Sequence, residues 1–408
     1  MKSIILLASC LVAGICLHAQ RSTTAYAVTS NSIGTFNWTE LRQIDLVSGK
    51  VIRNVFESST NDFKIFNARS KAPINVRDDG GDVIDHMQLP LGGLSAACAY
   101  DPKNQRLYFA PIFRNELRYI DLKEKTSKFY YYSNEPMMDV EEPSAEQNHI
   151  TRMVITGHGK GYALSNDAKH LVEFSTGKQQ AMRDLGALID AETNKGVSIF
   201  EKNSSWGGDL VADVAGNLYL FSANKHVFRI DPSSRIATFM GKVSGIPREE
   251  TTNGAAVDES GGVILSSANG MQTYYRVNMN DLQAEPVKQG GSVYNCSDLA
   301  NGNLLPAPPT SAVISREDSK TDAIKIFPNP VTGPVIQVHF SDKMQGRYEL
   351  QLLDEKGKQV TQQSILVDKN SRLYRLVVPR VVPGAYVLNV VGKNGKVATE
   401  VVIKKAAF

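Results

Sequence analysis

An all-β chain is what this sequence predicts, and three observations carry the prediction. A short β-type unit recurs along most of the 408 residues, helical periodicity is scarce, and after a Pro-rich stretch the β pattern returns with different turns.

The recurring unit is marked by an apolar-Asp-apolar triplet followed by a turn. It appears as Ile44-Asp45-Leu46, Ile120-Asp121-Leu122 and Ile230-Asp231-Pro232, and in weakened form as Val277-Asn278-Met279. Glu173-Phe174-Ser175-Thr176-Gly177 fills the same slot in a fifth copy. Each is preceded by an alternating run, such as Leu107-Tyr108-Phe109 or Leu218-Tyr219-Leu220-Phe221, and further upstream by turns such as Asp213-Val214-Ala215-Gly216-Asn217 and Asp258-Glu259-Ser260-Gly261-Gly262. Four short antiparallel strands per unit, at intervals of roughly 45 to 55 residues, describe a β-propeller of five or six blades. Stacking small sheets face to face around an axis buries both faces of each and leaves only short edges exposed. Val293-Tyr294-Asn295-Cys296-Ser297-Asp298 reads as a first strand whose second strand is the N-terminal Ala25-Tyr26-Ala27-Val28, so both chain ends would close the ring. Residues 61–94 are either a long insertion or a sixth blade.

The propeller is assigned to residues 20–303. Before it, residues 1–19 read as a cleaved signal peptide: Lys2 supplies the positive start, an apolar run follows, and Leu17-His18-Ala19 ends on a small residue before Gln20. A membrane anchor would need roughly 20 apolar residues, longer than this run, and no other stretch approaches that length. The mature chain is therefore expected to hold no transmembrane segment. A lipid-attachment box at Leu7-Ala8-Ser9-Cys10 is the alternative, but the apolar run continues past Cys10. A formal net charge of +3 is too small for a polyanion partner and argues against nucleic acid.

Residues 304–322, rich in Pro, Ser and mixed charge, form a linker. Residues 323–408 then alternate again, with turns at Asp354-Glu355-Lys356-Gly357 and Gly392-Lys393-Asn394-Gly395, which predicts a small Ig-like β-sandwich. Phe327-Pro328-Asn329-Pro330 with Gly333, Leu352-Leu353-Asp354 leading into Lys356-Gly357, and Pro383-Gly384-Ala385-Tyr386 before a final strand ending in Lys404-Lys405 stand in order along it. In these motifs the module resembles the type A C-terminal sorting domain of the type IX secretion system. The resemblance implies an export address whose motif residues are Pro328, Asn329, Pro330, Gly333, Gly384 and Tyr386. It also implies two partners, the outer-membrane translocon and a sortase-like peptidase, and a destination at the cell surface or outside the cell.

Chemistry is then expected in the propeller, in the loops that lead into the innermost strands. These carry Asp85-His86, Glu141-Glu142 with His149, Trp206, and Arg248-Glu249-Glu250. Carboxylates with His suit cation binding or acid-base work, and an exposed Trp suits sugar stacking. The candidate ligand-binding set is therefore His86, Glu141, Glu142, His149, Trp206, Arg248, Glu249 and Glu250. Solvated carboxylates and packing aromatics are the plainer alternative. Motifs for Ser hydrolases, zinc proteases, phosphate loops and calcium loops are absent from the sequence, so no catalytic residue, metal or cofactor is assigned. Once the signal leaves, only Cys98 and Cys296 remain, three and two residues before Asp101 and Asp298. They fall on neighbouring inner strands, where a disulfide would lock the closure. Against it stands the spacing of adjacent blades, wide for the roughly 4.4 to 6.8 Å Cα separation required, and the plainer alternative is two small buried residues. The reading is a secreted propeller that binds a protein or glycan, or serves as a scaffold. The alternatives are a hydrolase or lyase acting on polysaccharide, and an accessory protein of the secretion or motility machinery.

Overall fold

In the computed structural model of the full chain, the described residues are 22–306 and 324–404, apart from 60–61, 77–87, 93, 178–180, 270–272, 288–291, 328–330, 332–333, 342–343, 355–357, 370, 379–383 and 393–394. Residues 1–19, the expected signal peptide, lie outside them. The chain divides into two compact units, Met1–Pro308 and Pro309–Phe408.

The first unit is a β-propeller. Among its described residues are five sheets, each built on four antiparallel strands. The innermost strands are Cys296–Ala300, Ser95–Asp101, Ile150–Ile155, Asp209–Ala212 and Gly254–Val257, in blade order one to five. Each packs against the next, and the fifth returns to the first, which closes the ring. As the sequence suggests, the first blade draws on both chain ends: Thr24–Thr29 pairs with Cys296–Ala300 in the register Tyr26↔Ala300, Ala27↔Leu299, Val28↔Asp298.

Residues 61–94 supply no sixth blade among the described residues. Phe63–Asn67 instead runs parallel to Ser127–Pro136 on the outer edge of the second blade, and Pro73–Ile74 pairs beyond it. Their apolar side chains serve that edge, with Phe63 set edge-on to Phe56 and Phe129. The fourth blade gains a similar parallel addition, Ile189–Asp190 on Ile236–Lys242.

The repeated Asp residues have a common physical role. Asp45 Oδ1 accepts the Ser48 N–H at 2.7 Å, Asp121 that of Lys123 at 3.1 Å, and Asp231 that of Ser233 at 2.9 Å. In the earlier turns Asp213 and Asp258 do the same for Asn217 and Gly262, each at 2.8–2.9 Å. A short acceptor that satisfies the main chain of its own turn is why Asp recurs at these offsets. Burial opposes ionisation of Asp258, yet bonds from Arg276 and Ser260 hold its carboxyl below the usual range.

The second unit is a two-sheet sandwich. Ile324–Phe327, Val335–Phe340 and Leu373–Val377 form one sheet, and Gln359–Val367, Gly346–Leu353, Gly384–Gly392 and Gly395–Lys404 form the other. Alternate residues Ile336, Val338 and Phe340 meet Leu350, Leu352, Leu388 and Val390 in its core. Gly392 pairs with Gly395, so the last two strands form a tight hairpin.

Candidate functional site

One face of the propeller gathers the loops that lead into the inner strands together with those between second and third strands. Hydrogen bonds lace them: Gly34 N–H to Asn295 Oδ1 (2.9 Å), Asn295 Nδ2 to Ala268 O (2.9 Å), and Gly207 N–H to Asn166 Oδ1 (3.0 Å). The candidate residues stand around this face in separate groups. His86 lies outside the described residues. Glu141 and Glu142 are exposed. His149 bonds the Ser144 carbonyl through Nε2 (2.8 Å) and meets the Phe113 ring edge-on at 5.2 Å.

Trp206 follows the short helix Lys202–Ser205, with Lys202 Nζ 4.9 Å from its ring centre. Its indole N–H finds no acceptor among the described residues. Arg248 and Glu249 are exposed, whereas Glu250 is buried. Burial, then the neighbouring Glu249 charge, raises the Glu250 carboxyl above its ordinary range. Burial, with Glu250 beside it, pushes the Tyr275 hydroxyl up to about 12. Lys225 reaches the same corner through the Pro247 carbonyl at 2.6 Å. Glu250 thus joins Tyr275 and Lys225 at the junction of blades four and five, while His149 joins Phe113 at the junction of two and three. No group of three His, Cys, Asp or Glu side chains is placed to hold a metal among the described residues.

The open space lies off the axis. A cleft of about 510 Å³ in the second blade is lined by Phe113, Arg114, Glu116, Tyr131, Glu135 and Pro143, among others. Phe113 stands 40% exposed at its rim. Beneath it Arg118 is buried, paired with Glu116 at 2.7 Å and lying 4.0 Å from the Tyr131 ring centre. A wider groove of about 1050 Å³ on the opposite face runs past Asp101, Lys103, His158, Lys160 and Arg183. The axis itself, where the inner strands converge, holds a void of only about 20 Å³, room for about one water.

Two carboxyls at this axis escaped the sequence reading. Asp209 and Asp298 are fully buried on the inner strands of blades four and one. Asp298 stands in the middle of its strand, Cys296–Ala300. An Asp within otherwise small and apolar inner strands, Asp-Leu-Val-Ala and Cys-Ser-Asp-Leu-Ala, was the available signal.

The disulfide expected between Cys98 and Cys296 is not formed, and both thiols are free and buried. Their strands are neighbours, as read, but the side chains diverge. Cys98 donates to Asp298 Oδ1 at 3.1 Å, while Cys296 turns to the Tyr294 carbonyl at 3.3 Å and the Tyr274 hydroxyl at 3.5 Å. Burial raises both thiols, Cys296 to about 11, which leaves them inert while folded. Unfolded without reductant, a chain beginning at Gln20 should take up two alkyl groups by intact mass. Uptake only after reduction would mean the sulfurs are joined.

In the C-terminal unit Gly384 opens the strand Gly384–Gly392 and pairs with Lys404, and Tyr386 is buried opposite Val402. Pro328, Asn329, Pro330 and Gly333 lie outside the described residues. Residues 325–404 match the secretion system C-terminal sorting domain. The C-terminal module is a sorting domain. It belongs to the type IX route, and the chain is accordingly a secreted, cell-surface protein. No helix of the described residues is long and apolar enough to cross a membrane.

Among curated proteins none matches the chain. Among solved structures, the extracellular domain of BT4673 from B. thetaiotaomicron is 11% identical, with 92% of this chain and 50% of that chain covered at a TM-score of 0.33. PorZ, a surface component of the type IX secretion system of Porphyromonas gingivalis, is 12% identical, with 93% and 51% covered at 0.30. A chain of a nidogen/laminin complex is 10% identical, with 86% and 96% covered at 0.36. This chain spans about half the length of the BT4673 and PorZ chains.

Proposed function

We propose that the sorting domain delivers the propeller to the cell surface, through the translocon and a sortase-like peptidase, and that the propeller there binds an extracellular protein or glycan. The observation that carries the binding reading is where the open space lies. The axis is filled down to about 20 Å³ and its carboxyls are sealed, whereas the 510 Å³ cleft at the second blade is open and rimmed by an exposed Phe113. An open rim with an aromatic side chain suits recognition, and the two carboxylates that line the cleft are each engaged by a cation, Glu116 by Arg118 at 2.7 Å and Glu135 by Arg69 at 2.6 Å. His149 and Pro143 bring the loop 141–149 to this cleft. Of the candidate set, His149 neighbours the cleft through its contact with Phe113, which supports a part for this loop in binding.

The test is binding of the mature protein to arrayed glycans and to surface extracts of host cells, followed by Phe113→Ala. Truncating an aromatic anchor is expected to weaken binding about tenfold, on the order of 1–2 kcal/mol. Because Phe113 is 40% exposed, the melting temperature should hardly move. Binding indifferent to the change would remove the cleft from the function. Release of reducing ends from a polysaccharide would replace binding by hydrolysis.

A further inference from the structure

We propose that Asp209 and Asp298 form a single-proton latch across the propeller axis, which holds the ring closed and weakens as pH rises.

The geometry ties four of the five inner strands to two carboxyls. Asp209, at the head of the fourth inner strand, accepts the Leu210 N–H through Oδ1 at 2.6 Å. Its Oδ2 accepts N–H groups from the fifth and first inner strands, Ala255 at 2.6 Å and Leu299 at 3.4 Å. Asp298, on the strand that closes the ring, takes the Cys98 thiol of the second blade on Oδ1. Asp298 Oδ2 finds no donor among the described residues. The hydrogen available to it is one carried by the acid pair itself. With three N–H groups aimed at Asp209, that carboxylate is the natural acceptor and Asp298 the natural holder of the proton.

Burial raises both groups well above the ordinary Asp range. The Asp209 charge raises Asp298 further, while the main-chain N–H groups and the bond from Asp298 act to lower Asp209, which leaves Asp298 as the member that keeps the proton. Two like charges in a sealed, water-poor site cannot both be carried. The other titratable groups nearby do not replace the proton. Cys98, from the second blade, is itself raised by burial and by Asp298. Cys296, on the closing strand, turns to Tyr274, with the Arg42 charge acting on it. Arg152 of the third inner strand bonds the carbonyls of Ser165 and Ser205 and acts with Asp167. The fifth inner strand, Gly-Ala-Ala-Val, offers no titratable side chain. Main-chain N–H groups around Asp209 suit an anion and would oppose a cation placed there.

The unfolded chain releases the proton near an ordinary Asp value of about 4, while the folded chain keeps it to higher pH. Stability from this pair is therefore greatest in acid and falls as pH rises toward the folded value, the folding constant losing about tenfold per pH unit for one retained proton.

The experiment is urea unfolding of the full mature chain from about pH 5 to about pH 9, beside Asp298→Asn, whose amide can donate to Asp209 without titrating. The wild-type folding constant should fall more steeply, by up to about tenfold per pH unit, and the variant should be the more stable at the alkaline end. Equal slopes would overturn the latch. An infrared C=O band of a protonated carboxyl should persist in the folded wild type near neutral pH, and this readout stands even if the variant fails to fold. Absence of the band, or a slope abolished by adding or chelating divalent cations, would overturn a proton as the neutralising species.

Discussion

A chain ending before Lys325 is expected to fold its propeller normally and yet to remain inside the cell, its surface fraction reduced to background. The expectation follows from how the cores are divided. Among the described residues, each hydrophobic cluster of the propeller draws on residues up to Leu305, and the sandwich core on residues from Ile324 onward. Ring closure is complete at Ala300, after which Asn301 and Asn303 bond the Val257 carbonyl and Leu305 pairs with Asp213. Removing the sorting domain thus takes none of the described side chains from these propeller clusters. Its thermal transition should persist while export is lost. Fractionation with intact-mass analysis of surface, vesicle and medium fractions checks both halves. If the shortened chain reaches the surface as well as the full one, the sandwich is an ordinary domain and the destination must be carried elsewhere.

The blades were legible because their turn chemistry repeats. Asp45, Asp121, Asp213, Asp231 and Asp258 each satisfy main-chain N–H groups of their own turn, so the sequence shows them directly. Pairing between the first and last strands was legible because an unfinished repeat stood at each end. The parallel additions Phe63–Asn67 and Ile189–Asp190 were not, since a strand added to an outer edge obeys no repeat and carries no fixed turn. Gln359–Val367 shows little strand signal for another reason. It is an edge strand with Gln, Thr and Ser along it, and of its apolar residues Ile365 and Val367 are buried while Leu366 points outward.

Site residues were less legible, because loops that share a face need not share a pocket. Glu250 and His149 are both on the face expected, yet one is buried against Tyr275 and the other packs on Phe113. Asp209 and Asp298 lie 89 positions apart by number (298 − 209), and nothing in either strand's own pattern shows that they meet across an axis. Sequence periodicity reports which face of a strand is buried, not what waits on the far side of the ring.

Gly208→Ala should be among the most damaging single changes in the propeller, costing about 3 kcal/mol. Gly208 has φ +88, where an L side chain is strained by about 1–2 kcal/mol. A Cβ there would also stand 1.9 Å from the Phe221 carbonyl oxygen and 2.6 Å from the Ser222 Cα. Those atoms are backbone and cannot swing aside, so the overlap adds about 1–3 kcal/mol of overpacking. The next residue, Asp209, pairs directly with Phe221 and carries the bonds to Ala255 and Leu299. Parting the first two strands of the fourth blade would thus disturb three blades together. A fall of roughly 6–10 °C in the propeller's transition corresponds to this loss in a unit of its size. Gly216→Ala is the control, since Gly216 has φ +92 with nothing within 4 Å of its Cβ position. It should pay the backbone strain alone, about 1 kcal/mol. Scanning calorimetry of the two variants separates the causes. Equal losses would mean that the close approach of Phe221 contributes nothing and that positive φ alone explains the glycine.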